Sequence, residues 1–100
     1  NPVPVLAAMR RLVGPGGTVM VVDEKAADRF APPGDDVERY FYGFSLFHCL
    51  PVGMTEDDSV ATGTVIREST MRDFAEQAGF TSVEVLPVES DGFRMYRMTA

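Results

Sequence analysis

Two adjacent carboxylates, Asp23 and Glu24, are placed where an α/β protein can do chemistry. They follow Val19 to Val22, a continuously apolar run that is typical of a parallel strand covered on both faces. Ligands of open α/β sheets bind just past the carboxyl ends of such strands. Asp23 is therefore a candidate catalytic residue and Glu24 a candidate substrate-binding residue. The alternative is that both are solvated carboxylates at the point where the chain leaves a strand.

His48 is the second candidate catalytic residue and the only histidine of the chain. An imidazole titrates near neutral pH, which suits it to act as a general base. The alternative is a histidine whose hydrogen bonds are satisfied at the end of an aromatic helix. The neighbouring Cys49 is interpreted as a small buried apolar residue rather than as a nucleophile.

Aromatic side chains are concentrated between Asp35 and Leu50, which holds five of the ten in the chain. Such side chains, with a methionine that follows them, can wall an apolar substrate pocket. Core packing is the alternative, because any amphipathic helix presents an apolar stripe. The candidate substrate-binding residues of this segment are Tyr42, Phe44, Phe47 and Met54, and Tyr40 belongs to the same stripe.

A metal site is not expected. Glu56, Asp57 and Asp58 form an acidic group, but they lack the spacing and the glycine of a calcium-binding loop. A solvated acidic loop is the preferred interpretation.

Helical and strand patterns divide the chain into six elements. The pattern Leu6, Met9, Leu12 predicts a first helix, and Asp35 with Glu38 forms a capping-box-like start for a second helix that Pro51 ends. Gly79 and Phe80 have the arrangement of a Schellman ending. The predicted elements are a helix over 2–13, a strand over 18–23, a helix over 35–50, a helix beginning at Ser69 or Thr70, and strands over 82–88 and 93–98, with a short strand over 64–66 as an option.

Charge and cysteine content limit the partners and the compartment. The formal net charge of −6 argues against sequence-independent nucleic-acid binding and against docking on an anionic membrane. A single cysteine permits no intramolecular disulfide, and a reducing compartment fits best, so a cytoplasmic location is the expectation.

The order of these elements resembles the carboxyl-terminal half of a class I S-adenosylmethionine-dependent methyltransferase. The resemblance covers Leu12 to Asp23, with its Gly-Pro-Gly-Gly turn and Asp-Glu strand end, and Ser69 to Met98, with the helix ending Glu-Gln-Ala-Gly-Phe. The sequence Phe-His-Cys-Leu-Pro at 47–51 resembles small-molecule methyltransferases of actinobacterial type.

This resemblance implies a single partial α/β domain over residues 1–100 with a Rossmann-like methyltransferase sheet. The sheet has three strands in the spatial order first, third, second; the last two form an antiparallel hairpin, and about three helices accompany them. Pro87 lies on the edge strand, where its missing N–H is tolerated. The insert over 25–66 is expected to form a substrate wall or lid.

The resemblance also implies what this chain lacks. The glycine turn of the family's cofactor site follows a strand, whereas Gly14 to Gly17 precede one. S-adenosylmethionine is therefore expected to bind the parent protein and no cofactor-binding residue is assigned here, so that the chain alone is inactive towards its small-molecule substrate. The alternative is a non-catalytic interaction module that forms a homo-oligomer through the exposed edge of the strand over 18–23.

Overall fold

The computed structural model describes all residues from 1 to 100 as a small α/β domain. Its elements, in chain order, are α1 (Pro2–Val13), β1 (Thr18–Glu24), α2 (Asp36–Phe44), a π-helical segment (Ser45–Cys49), α3 (Leu50–Gly53), α4 (Glu68–Gln77), β2 (Ser82–Val85) and β3 (Phe93–Thr99). Since α2, the π-helical segment and α3 follow one another without a break, the chain has three helical rods, as expected.

The helix ends follow the local sequence signals. The Asn1 side chain accepts a hydrogen bond from the Val3 amide at 3.1 Å, and the Asp35 side chain accepts one from the Glu38 amide at 2.7 Å. Each satisfies an amide that a helix start leaves without an intrahelical partner. After α4, Gly79 adopts a φ of +88° and the Phe80 amide donates to the Ala75 carbonyl, which is the predicted Schellman ending.

The three strands form one sheet in the order β1-β3-β2, and β3 is antiparallel to both neighbours. Tyr96 of β3 lies between Val21 of β1 and Val85 of β2. The outer strands consequently run parallel to each other. The predicted strand order, the hairpin and the edge position of β2 are confirmed.

Several elements differ in extent from the prediction. Pro51 does not end the second helix, which continues to Gly53. The π-helical turn lets the Leu50 amide donate to the Ser45 carbonyl five residues back, and Pro51 then falls in the first turn of α3, where a missing amide is tolerated. Residues 64–66 form no strand, and β2 ends at Val85, so that Pro87 lies beyond it.

The start of α4 also differs. Its N-cap position is Arg67, with no side-chain capping bond of its own, rather than Ser69 or Thr70. The capping oxygen comes instead from a loop, because Asp28 accepts hydrogen bonds from the Ser69 amide at 3.0 Å and the Ser69 hydroxyl at 2.7 Å. Local sequence does not reveal a cap supplied from forty-one residues away.

Only one face of the sheet is covered, so the predicted burial of β1 on both faces is wrong. Val19 and Val21 pack against the core, whereas the side chains of Met20 and Val22 are 65% and 53% exposed. A short apolar run does not distinguish a strand covered on both faces from one covered on a single face. The outer face of β1 is therefore open and apolar.

The core lies between the covered face and the helices α1 and α4. Tyr96 and Met98 of β3 are fully buried at its centre. The other buried members are Leu6, Met71, Phe74, Ala75, Ala78 and Phe80. No helix in the structure combines the length and the apolar character needed to cross a membrane.

Candidate functional site

The carboxyl end of β1 carries the first group of polar residues. Asp23 belongs to the same alternation as Val19 and Val21, and it pairs with Arg94 of β3 across the sheet. The Arg94 guanidinium donates to the Ala26 carbonyl at 3.3 Å and lies 4.0 Å from a carboxylate oxygen of Glu68. Residues from both sheet and helix therefore meet where the strand ends.

Asp23 is the most strongly perturbed titratable group of the chain. Burial, reinforced by the adjacent Glu24 carboxylate, raises the pKa of Asp23 to about 7, while the Arg94 charge acts in the opposite direction. Its Oδ2 atom is buried and has no hydrogen-bond partner. A carboxyl group with a pKa near neutrality can exchange a proton at physiological pH.

Burial also raises the pKa of the Tyr96 phenol, with smaller contributions from the Asp23 and Glu68 charges. The Arg94 guanidinium donates to the Tyr96 hydroxyl at 3.5 Å and lowers that pKa in part. The phenol is thus held in its protonated form beneath the strand end.

A network of side chains fixes the loop that leaves β1. Glu38 is buried, and its Oε1 accepts from the Ala27 amide at 3.1 Å and from the Tyr42 hydroxyl at 3.3 Å. Arg67 donates to the same tyrosine hydroxyl at 2.8 Å and to the Ala27 carbonyl. The two hydrogen bonds from Ser69 lower the pKa of Asp28. The loop is therefore attached to both α2 and α4.

An apolar cavity of about 600 Å³ lies beside this network. One wall is the loop Phe30 to Gly34, and the other is the helical face that carries Arg39, Tyr42, Ser45, Leu46 and Leu50. The Phe30 and Tyr42 rings meet edge to face, with centroids 5.3 Å apart and planes at 89°. We refer to this cavity as the loop–helix cleft.

The structure separates the predicted site residues into different places. Tyr42 lines the loop–helix cleft, whereas Phe44, Phe47 and His48 line a shallow groove of about 440 Å³ on the same helical rod, which shares only Arg39 with the cleft. Met54 follows α3 and is 60% exposed. Glu24 adjoins Asp23 at the strand end, in neither cavity. The roles assigned to these residues remain predictions.

The aromatic segment is not simply core. Phe47 is 84% exposed and Phe44 is 49% exposed, while none of the five aromatic residues of this segment belongs to the buried core. The Tyr40 and Phe44 rings pack on each other with centroids 4.7 Å apart. This helical rod therefore presents apolar surface to solvent on more than one side.

Four polar residues of the site were not identified from the sequence. The sequence indicates Glu38 only as part of a helix start, and the alternation of β3 is the one sequence signal that places Arg94 with Asp23. Arg67 and Asp28 have no sequence signal, because their partners are distant along the chain.

No group of three or more histidine, cysteine, aspartate or glutamate side chains is arranged to hold a metal ion.

Comparisons with known proteins add no assignment, since neither a protein-family model nor a curated protein matches this chain.

Proposed function

We propose that this chain forms the carboxyl-terminal half of a class I S-adenosylmethionine-dependent methyltransferase that acts on a small molecule. The observation that supports this best is the sheet order β1-β3-β2, in which an antiparallel strand lies between two parallel ones. The resemblance in sequence implies this order, and α1 and α4 both pack on the covered face of the sheet.

In this proposal the chain provides the substrate side of the active site. S-adenosylmethionine supplies the methyl group when it is bound by the half that carries the glycine-rich turn. Methyl transfer depends mainly on holding the acceptor in line, for which a preformed cleft is suited. Asp23, with its pKa near 7, and His48 are the two candidates to take a proton from an acceptor that must lose one. Neither lines the loop–helix cleft, so either role requires an acceptor that extends from the cleft to the strand end or to the shallow groove.

The second candidate function is an interaction module without chemistry. It is favoured by a specific observation, which is that β1 pairs with β3 on one side only and exposes Met20 and Val22. A strand edge with unpaired backbone groups is a template for pairing with another chain.

Calorimetric titration with S-adenosylmethionine and with its demethylated product tests the choice. The polypeptide encoded by the whole gene is titrated beside the 100-residue chain. We expect the whole polypeptide to bind both ligands and the chain to bind neither. A whole polypeptide that binds neither ligand, or a gene that encodes no strand, glycine turn and helix upstream of Asn1, would favour the interaction module.

A further inference from the structure

The loop–helix cleft has the size of a small-molecule site, and rings form much of its lining. Its volume of about 600 Å³ falls within the usual range for small-molecule sites. The Phe30 and Tyr42 rings stand at right angles on its walls, and the Pro32 and Pro33 rings line the loop side. Aromatic and proline rings make good contact with the face or edge of a planar molecule.

The hydroxyl groups that line the cleft already form hydrogen bonds with other parts of the protein. The Tyr42 hydroxyl donates to Glu38 and accepts from Arg67, and the buried Ser45 hydroxyl accepts from the Thr64 amide at 3.2 Å. These two side chains therefore offer little hydrogen bonding to a ligand. The surface that remains is apolar, which favours a ligand that is mostly hydrocarbon.

Charge further restricts the ligand. Arg39 is the one charged side chain that lines the cleft, and no carboxylate lines it. Arg39 pairs with Asp36 on the same helix, but the Asp36 side chain is 92% exposed. A pair so open to water is weak, so the guanidinium remains available to an anion. A cationic ligand would find no counter-charge here.

We propose that the loop–helix cleft binds a planar aromatic molecule of two or three fused rings that carries one anionic group. The rings lie between Phe30 and Leu46, and the anionic group pairs with Arg39 at the mouth. Binding of this ligand class requires only the cleft. Its identification as the methyl acceptor rests on the proposed function.

Two fluorescent dyes provide a matched test on the 100-residue chain. The first, 8-anilinonaphthalene-1-sulfonate, carries a sulfonate, and the second, N-phenyl-1-naphthylamine, has the same rings without it. We expect saturable binding of one molecule of either dye. Arg39→Gln is expected to weaken the sulfonate dye about fivefold and to leave the uncharged dye within about twofold, because only the sulfonate uses the guanidinium.

Two further variants locate the bound dye. Leu46→Glu places a charge on the cleft wall and is expected to weaken both dyes by about tenfold or more. Met20→Glu is the control, since Met20 is 65% exposed on the open sheet face and Leu46 is 60% exposed. It should change neither affinity by more than about twofold. Circular dichroism checks folding, and Ala31→Phe, which fills the cleft from its exposed loop, replaces Leu46→Glu if that variant unfolds.

The proposal is overturned if neither dye shows saturable binding, or if Met20→Glu abolishes binding and the cleft variants do not. Equal weakening of both dyes by Arg39→Gln would overturn the anionic part of the ligand class. These results are independent of the cofactor titration. If the dyes bind in the cleft and the whole polypeptide binds no cofactor, the proposed methyl transfer is contradicted and the proposed binding site is supported.

Discussion

At the scale of the residue, the ionised carboxylate of Asp23 destabilises the fold, and the same carboxyl group can exchange a proton near neutral pH. Asp23 is half-buried, its Oδ2 atom has no hydrogen-bond partner, and Glu24 adds a second negative charge. Arg94, across the sheet, offsets this only in part. The ionised form of Asp23 is therefore unfavourable in the folded chain, and residues of this kind are frequent at functional sites.

The pH dependence of stability follows from the sign of this shift. Because the folded pKa of about 7 exceeds the ordinary value of 3.8, the folded state binds a proton that the unfolded state has already released. The resulting stabilisation is fully present below pH 3.8 and is lost as the pH rises through 7. At pH 8 we expect Asp23→Asn to be more stable than the wild type. Its free energy of unfolding should be higher by about 1 to 2 kcal/mol after allowance for solvent screening.

Urea titrations of both proteins between pH 4 and pH 8 measure this difference, with Glu24→Gln as the control that removes only the neighbouring charge. The difference between Asp23→Asn and wild type should grow with pH, and Glu24→Gln should give a smaller growth. A difference that stays constant across this range would show that Asp23 titrates normally.

At the scale of the element, the helical rod from α2 to α3 anchors the long loop that follows it. The buried Ser45 hydroxyl accepts from the Thr64 amide, and Gly63 packs against the helix with a φ of +59°. A Cβ atom at Gly63 would lie 2.1 Å from the Ser45 Oγ atom and 3.1 Å from the Leu50 Cβ atom. The close approach of loop and helix therefore depends on a glycine at this position.

The same substitution at two glycines should have opposite effects. Gly63→Ala introduces both an unfavourable backbone conformation and a clash, and we expect it to destabilise the chain by about 1 to 3 kcal/mol. Gly43→Ala lies within α2, where a Cβ atom meets nothing within 4 Å, and should stabilise by about 0.5 to 1 kcal/mol. Urea unfolding monitored by circular dichroism measures both. Equal effects of the two variants would contradict the packing of loop on helix.

At the scale of the whole molecule, the open sheet face and the free edge of β1 occur on the same strand. Hydrogen bonds alternate along an antiparallel strand, and the Lys25 amide donates to the Gly92 carbonyl in the register that pairs Val21 with Tyr96. The residues that bond to β3 are therefore odd-numbered. The unpaired backbone groups belong to Thr18, Met20, Val22 and Glu24, whose side chains lie on the open face.

We expect the isolated chain to self-associate through this edge. Antiparallel pairing of two copies about Val21 uses all the free backbone groups and places Asp23 beside Val19 of the partner subunit, so that no two carboxylates oppose each other. Val22→Lys should abolish association, because it places a charge on the apolar face at the centre of the edge. Leu12→Lys is the control, since Leu12 is 88% exposed on α1.

Sedimentation velocity at micromolar concentrations measures the association state of the three proteins. The expected result is an associated wild type, an associated Leu12→Lys and a monomeric Val22→Lys. A wild type that sediments as a monomer would contradict the proposed use of this edge by a second copy.

The sequence by itself determined the elements whose signals are local. The Asp35 cap and the Gly79 ending each depend on a few neighbouring residues, and the succession of elements indicated the α/β class. The strand order came from the resemblance to methyltransferases rather than from the residues themselves. The apolar run that ends at Asp23 likewise marked the strand end where the perturbed carboxyl group lies.

Only the tertiary structure decided which faces are covered and which side chains meet. The exposure of Met20, the capping of α4 by Asp28 and the pairing of Arg94 with Asp23 each join residues that are far apart in the chain. The loop–helix cleft also required the fold, because a stripe of aromatic residues has the same spacing whether it faces a core, a cleft or water. Local propensity acts over a few residues, whereas burial and charge environment are set by contacts that form only when the chain has folded.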